Sequence, residues 1–387
     1  QMKKGLFPTN KFINLTTPFY YYDTVLLKAT LESLKQETSK HNIEAHYAVK
    51  ANANDRILNI IAKEGFGADC VSGNEIKAAL NAGFPASKIV FAGVGKDDWE
   101  INYALENNIF CFNCESIPEI EIINELAHKQ QKIASIALRI NPNVKADTHH
   151  YITTGVAENK FGINLSDLEK VIDVVKKQAN IKLIGLHFHI GSQILEMNNF
   201  KSLCTRINEI QQWMLDQKIV IKNINVGGGL GINYQQPNEN PIPNFKDYIN
   251  VITQHLTLQP HQQLHIEPGR SIVAQCGSLI AKVLYIKEGT HTKFAILNAG
   301  MTELIRPALY QAYHLIENIT SEEEMEKYDI VGPICESSDV FAKGMEINRA
   351  KRGDLVALRS AGAYGEVMAS RYNLRPYPTV YLTEDFQ

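Results

Sequence analysis

From residue 43 to residue 270 the chain alternates short apolar, β-branched runs with longer stretches in which apolar residues recur at helical spacing. The runs are IEAHYAVKA, GFGADCVS, KIVFAGV, NIFCFNCE, IASIALRINP, IKLIGLHFHIGS, IKNINVGGG and LHIEPGR, eight in all. Between them lie amphipathic stretches such as NDRILNIIAKEG, NEIKAALNAG, DDWEINYALENN and SIPEIEIINELAHKQQ. Several are preceded by Ser, Asp or Asn and followed by Gly or Asn, the residues that cap helix ends. Eight strand and helix units predict an α/β fold with a (β/α)8 TIM-type barrel over 27–270. An open doubly wound sheet has the same rhythm, and the polar residues separate the two. Lys50, Cys70 with Ser72, His187 with His189, Gly227 to Gly229, and Glu267 with Arg270 all fall at the C-terminal ends of runs, the face where barrels build their sites.

After Arg270 the rhythm changes to strand-like segments, SIVAQCGSLIAKVLYIKE, TKFAILNAG, DLVALRSAG and YPTVYL, separated by Gly, Asp and Pro turns. These predict a second, mainly β domain over 271–387, joined by residues 1–26 with their TPFYYYD run. The Pro- and Asn-rich stretch at 235–244 reads as an exposed loop.

Composition narrows the partners. A net charge of -3 with scattered Lys and Arg gives no footprint for nucleic acid or a membrane surface, so a small molecule is the expected partner. No run approaches the roughly 18 apolar residues of a membrane span, and the N-terminal residues have no signal-peptide pattern, so a soluble cytoplasmic protein is expected. Six cysteines are too sparse for a disulfide framework. Cys111 and Cys114 form an isolated C-x-x-C with no second pair, which reads as two buried structural thiols rather than a metal site.

A lysine at the mouth of a barrel must be solvated, paired or used chemically. Lys50 alone reads first as a solvated rim residue; a Schiff-base lysine of lowered pKa is the reading that other residues must support. Gly227, Gly228 and Gly229 would let a phosphate approach the main chain, although a tight turn needs the same residues and the G-x-G-x-x-G spacing of a dinucleotide site is missing. Ser192 and Arg270 could add side-chain contacts to that phosphate. Glu267 facing a pyridine nitrogen would keep it protonated and favour carbanion chemistry; the alternative is a salt bridge to Arg270. His187 and His189 alternate onto one face of a strand, where either could stack on a flat cofactor or both could bind a metal. A metal-dependent barrel hydrolase would need further ligands, and only His265 stands near.

Eight segments in order resemble the fold-type III pyridoxal-phosphate decarboxylases, and within them the branch acting on meso-diaminopimelate. They are YAVKAN at 47–52, THHYITTG and ENKFGI within 148–163, HFHIGSQI at 187–194, NVGGGLGINY at 225–234, EPGRSIVA at 267–274, RPALYQAYH at 306–314, CESSDVF at 335–341 and GAYG at 362–365. The resemblance implies pyridoxal 5'-phosphate on Lys50, with His189 on the ring and Glu267 at its nitrogen. It implies Ser192, Gly228, Gly229, Gly269, Arg270 and Tyr364 around the phosphate, with Arg270 and Tyr364 also near the substrate. Arg306, Tyr310 and Glu336 would grip the distal carboxylate and amine, a guanidinium fork and a counter-charge. Cys335 would protonate the carbanion, and its CES segment implies a homodimer with shared active sites. No metal is implied. The expected reaction yields L-lysine and carbon dioxide; decarboxylation of ornithine, arginine or carboxynorspermidine on the same fold is the alternative. Ser338 stands where the family often has glycine, which puts the local backbone in question.

Overall fold

The computed structural model describes residues 4–144 and 160–387, so the THHYITTG segment lies outside the described residues. The chain divides into two compact units. One comprises Leu31–Gly231 and Asn244–Gly269; the other comprises the N-terminal residues to Thr30, Ile232–Pro243 and Arg270–Gln387.

The first strand, β1 (Phe19–Tyr22), belongs to the second unit, and the barrel follows it. Its strands are β2 (Ile43–Ala48), β3 (Gly67–Cys70), β4 (Ile89–Phe91), β5 (Cys111–Cys114), β6 (Ala134–Arg139), β7 (Ile181–His187), β8 (Asn223–Asn225) and β9 (Gln263–Ile266). All eight expected runs form strands, each parallel to the next, and β9 closes on β2 through Ile43 opposite Leu264. Burial of both faces explains why these runs read as nearly continuous apolar sequence. The intervening helices start where capping predicts. The Asn54 side chain accepts from the Arg56 N–H, Ser72 from Glu75 and Ser116 from Glu119. Each such cap contributes about 1 kcal/mol. Gly83 ends its helix at φ +103°, a conformation open to glycine. Of the residues at the strand ends, Ser72 caps a helix with its hydroxyl, and Cys70 is wholly buried, its thiol pushed well up by that burial.

The second unit holds an eight-stranded sheet. Its later strands are β10 (Gly277–Glu288), β11 (Lys293–Leu297), β12 (Ile316–Asn318), β13 (Met325–Val331), β14 (Val340–Asn348), β15 (Leu355–Leu358) and β16 (Thr379–Leu382). The order is β12-β15-β10-β11-β13-β14, and β1 pairs with both β10 and β16. The TPFYYYD run thus lies in the β unit. Phe12, Phe19, Tyr21, Tyr381 and Phe386 pack edge-on in its core, Phe12 and Phe19 with centroids 5.1 Å apart.

The stretch at 235–244 is an irregular loop, exposed at residues 235, 236, 239, 240 and 244. Residues 232–243, read as barrel, group with the β unit; Pro237 and Tyr234 are buried, and Asn238 accepts a 2.7 Å hydrogen bond from Arg359. Local Pro and Asn content signals a turn but carries no information on what packs over it.

Candidate active site

At the C-terminal face of the barrel, Lys50 occupies a single 3-10 turn, Val49–Ala51, immediately beyond β2. The Tyr47 hydroxyl fixes this turn by donating to the Asn52 carbonyl at 2.7 Å, and the Ala48 N–H donates to the Pro268 carbonyl at 3.0 Å. Gly269 lies against the same turn: a Cβ there would sit 2.9 Å from that of Ala48. The Lys50 turn is therefore docked on the end of β9, which carries Glu267.

Glu267 is buried, and its Oε1 lies 2.5 Å from His187 Nε2. Burial alone would raise its pKa, but the charge and hydrogen bond of His187 outweigh burial and hold the carboxyl below the usual carboxylate value. Its other oxygen, Oε2, is buried without a hydrogen-bond partner among the described residues. His187 is thus spoken for. The strand ends at His187, so His189 lies beyond it rather than on one continuous face. Burial, then the charges of Lys50 and Arg139, push the His189 pKa well below the ordinary histidine value, leaving a neutral aromatic ring. The Gly228 N–H donates to His189 Nδ1 at 3.4 Å. His265, the further metal ligand considered, instead contacts His46 at 2.9 Å and Asn223 at 2.8 Å.

The glycine run has a packing reason. A Cβ on Gly228 would lie 2.2 Å from the Glu267 carbonyl oxygen, and one on Gly227 2.2 Å from that of Phe188. Gly227 and Gly229 also adopt φ of +75° and +107°. The Gly229 turn is zipped to the turn bearing Ser192: the Ile194 N–H donates to the Gly229 carbonyl at 2.8 Å and the Gly231 N–H to the Ile194 carbonyl at 2.9 Å.

The sequence reading missed Asp69 on β3. It is buried; its pKa is pushed well up by burial and by Glu267, against the pull of Lys50, so it senses the same charges as the residues above. Arg139, buried beneath the Phe161 ring at 4.8 Å, pairs with Glu115 at 3.2 Å. Both residues lie near strand ends, where nothing in the local sequence sets them apart from other buried charges.

A second cluster is built within the β unit. Arg270 and Arg306 are both buried. The Arg270 guanidinium donates to the Tyr234 hydroxyl and stacks 4.9 Å over Tyr364, a residue at φ +56°. Arg306 lies 4.9 Å over Tyr234 and donates to His314 Nε2 at 2.9 Å. His314 Nδ1 donates to the Arg359 carbonyl at 2.8 Å, which fixes its tautomer. Burial, followed by the Arg306 charge, depresses the His314 pKa to about 3, so it meets Arg306 as a neutral acceptor. Burial, opposed by Tyr234 and reinforced by Arg270, lowers the Arg306 pKa, and Tyr310 feels both guanidiniums. Among the described residues no carboxylate lies within salt-bridge distance of Arg306. Two buried guanidiniums around one tyrosine make a receptor for anions. Tyr234 and His314 were missed as site residues; His314 closes the RPALYQAYH motif, a signal that was available.

Cys335 and Glu336 form a different arrangement. Both are exposed; the Cys335 N–H donates to Asn373 at 3.0 Å, and the Glu336 carboxylate accepts from Tyr372 at 3.1 Å and Ser338 at 3.1 Å. Buried Asp339 anchors the turn by accepting from the Met301 and Ile334 N–H groups at 2.7 and 2.8 Å. Ser338 has no positive φ, so serine in place of glycine leaves the backbone unstrained.

These residues fit pyridoxal phosphate. The buried, unpartnered Glu267 Oε2 is an anionic acceptor for a ring nitrogen, neutral His189 offers a flat face, and Lys50 supplies the amine.

The sequence profile of the pyridoxal-dependent decarboxylase family, pyridoxal binding domain, matches residues 26–274. Over 383 residues, 99% of both chains, the sequence is 62% identical to a diaminopimelate decarboxylase of Bacteroides thetaiotaomicron. The fold is similar to that of diaminopimelate decarboxylase from Helicobacter pylori complexed with L-lysine, with TM-score 0.92, 40% identity, and 97% of this chain and 94% of that one covered. It is also similar to the enzyme of that name from M. jannaschii in co-complex with L-lysine, with TM-score 0.88, 37% identity, and 95% and 87% covered. An eight-stranded parallel barrel ending in a Lys50–His189–Glu267 face and a profile match over the barrel sequence lead to one assignment: the chain belongs to the pyridoxal-dependent decarboxylases, in the family of the diaminopimelate decarboxylases.

Proposed function

We propose that this chain decarboxylates meso-2,6-diaminopimelate to L-lysine and carbon dioxide with pyridoxal 5'-phosphate. The observation that carries the substrate choice is Arg306, a buried cation whose hydrogen-bond partner is a neutral histidine and which has no carboxylate partner among the described residues. A buried guanidinium is costly unless an anion meets it, and a distal carboxylate accepts its fork. Ornithine and arginine bring no such group.

Lys50 would hold the cofactor, Glu267 would face its ring nitrogen and His189 its ring. Ser192, Gly228, Gly229, Gly269, Arg270 and Tyr364 would surround its phosphate, with Arg270 and Tyr364 available to the substrate. When bound, pyridoxal phosphate supplies an electron sink for the bond between Cα and its carboxylate. Arg306, Tyr310 and Glu336 would orient the distal carboxylate and ammonium, leaving the other carboxylate to depart as carbon dioxide. The Cys335 thiol would then deliver a proton to Cα, which completes L-lysine.

The Cys335 segment would serve the site of a second copy, making the working form a homodimer; the exposure of Cys335 and Glu336 in the single chain supports this. Six free cysteines support a reducing cytoplasm, and among the described residues no helix is long and apolar enough to cross a membrane. The test is carbon dioxide release from meso-diaminopimelate, ornithine, arginine and carboxynorspermidine side by side. Faster turnover of any substrate without a distal carboxylate would overturn the substrate assignment.

A further inference from the structure

The two oxygens of Glu267 have different surroundings. Oε1 lies 2.5 Å from His187 Nε2, whereas Oε2 meets no partner among the described residues, and neither does His187 Nδ1. A contact that short needs a proton between the two atoms. The pair is therefore held by the Nε2–H of His187 donating to a carboxylate oxygen of Glu267.

We propose that His187 is a positioning residue for the decarboxylation: its Nε2–H holds Oε1 of Glu267, keeping Oε2 charged and directed as the acceptor for the pyridine nitrogen. This rests on the cofactor reading above.

Other titratable groups act on Glu267 from neighbouring elements, but none replaces His187. His46 on β2, His189 beyond β7 and His265 on β9 have pKa values lowered by burial, so they bring little positive charge at neutral pH. Asp69 on β3, Cys111 on β5 and Tyr248 on the helix before β9 have pKa values raised by burial, with Glu267 adding to the rise. Among the described residues, His187 is the side chain that hydrogen-bonds the Glu267 carboxylate. Without that bond, burial governs and favours the neutral acid.

Two variants test this. His187→Leu removes the donor; His187→Gln keeps an N–H near the Nε2 position. In the wild-type holoenzyme the cofactor absorbance should hold steady from roughly pH 6 to 9, whereas in His187→Leu it should titrate inside that range. The Leu variant should also bind the cofactor more weakly when apoprotein is titrated. Its kcat should fall about tenfold or more, the effect of one pKa unit, while KM for diaminopimelate stays within about twofold. His187→Gln should restore the wild-type spectrum. In the apoprotein, infrared difference spectra should show a neutral-carboxyl band in His187→Leu that Glu267→Gln abolishes.

A folded Leu variant with the wild-type spectrum and kcat would overturn the proposal. So would a Gln variant that behaves as Leu is expected to, and this variant decides the matter if Leu does not fold. Absence of cofactor absorbance in the wild type would overturn the cofactor reading itself, a result distinct from either.

Discussion

Arg306 Nη1 donates to His314 Nε2 across 2.9 Å, and His314 can accept because its Nδ1 proton is committed to the Arg359 carbonyl. One guanidinium nitrogen is thereby fixed, and the rest of the fork is left for a carboxylate. Removing a charged hydrogen-bonding partner costs about 1.5–3 kcal/mol, or roughly 10- to 150-fold. Arg306→Ala should lower kcat/KM for meso-diaminopimelate by about that factor, chiefly through KM. Arg306→Lys should recover only part, because an ammonium cannot reproduce the fork. Steady-state kinetics on both variants checks this, and an unchanged KM would remove Arg306 from the substrate site.

His314 also ties stability to pH. Its folded pKa, about 3, lies below the unfolded value near ~6.5. Between those values the unfolded chain binds more protons than the folded one, so stability is full above about pH 6.5 and declines as pH falls toward 3. The slope for one such group is about 1.4 kcal/mol per pH unit. Urea unfolding of the apoprotein at several pH values in this window should show a shallower decline for His314→Gln than for the wild type. Equal slopes would mean that His314 is not held neutral.

The shared-site dimer predicts complementation. Lys50→Ala and Cys335→Ala proteins should each be inactive alone, the former also lacking Schiff-base absorbance. Mixed and allowed to exchange subunits, they should recover up to about a quarter of wild-type activity, since half the dimers are mixed and each has one intact site. No recovery despite heterodimers detected by native mass spectrometry would refute shared sites.

The barrel was legible because both faces of its strands are buried, so each run is apolar and its polar terminus stands out. Lys50, His189 and Glu267 could be read from those termini. The partner of Glu267 could not: residue spacing suggested Arg270, but side-chain pairing across a barrel depends on which strand ends converge, and β7 delivered His187. In the β unit, β13 and β14 escaped notice because their buried positions alternate with charged, exposed ones, as in MEKYDIV. The helix Arg306–Tyr310 has five residues, too few to show a period. Tyr234 ends the NVGGGLGINY segment, and nothing in the local sequence marks it as the tyrosine that two guanidiniums pack against.

Strand β1 lies between β10 and β16, with Tyr20 opposite Leu279 on one side and Val380 on the other. During synthesis its FYYY segment emerges long before either neighbour. For most of translation both edges of an aromatic strand are therefore open, and such an edge will pair with any strand offered, including that of another nascent chain. The first strand of the β unit has no sheet partner until β10 is made and lacks its second until β16 follows. The open edge of this four-residue aromatic strand is thus a consequence of chain order and not of the finished fold.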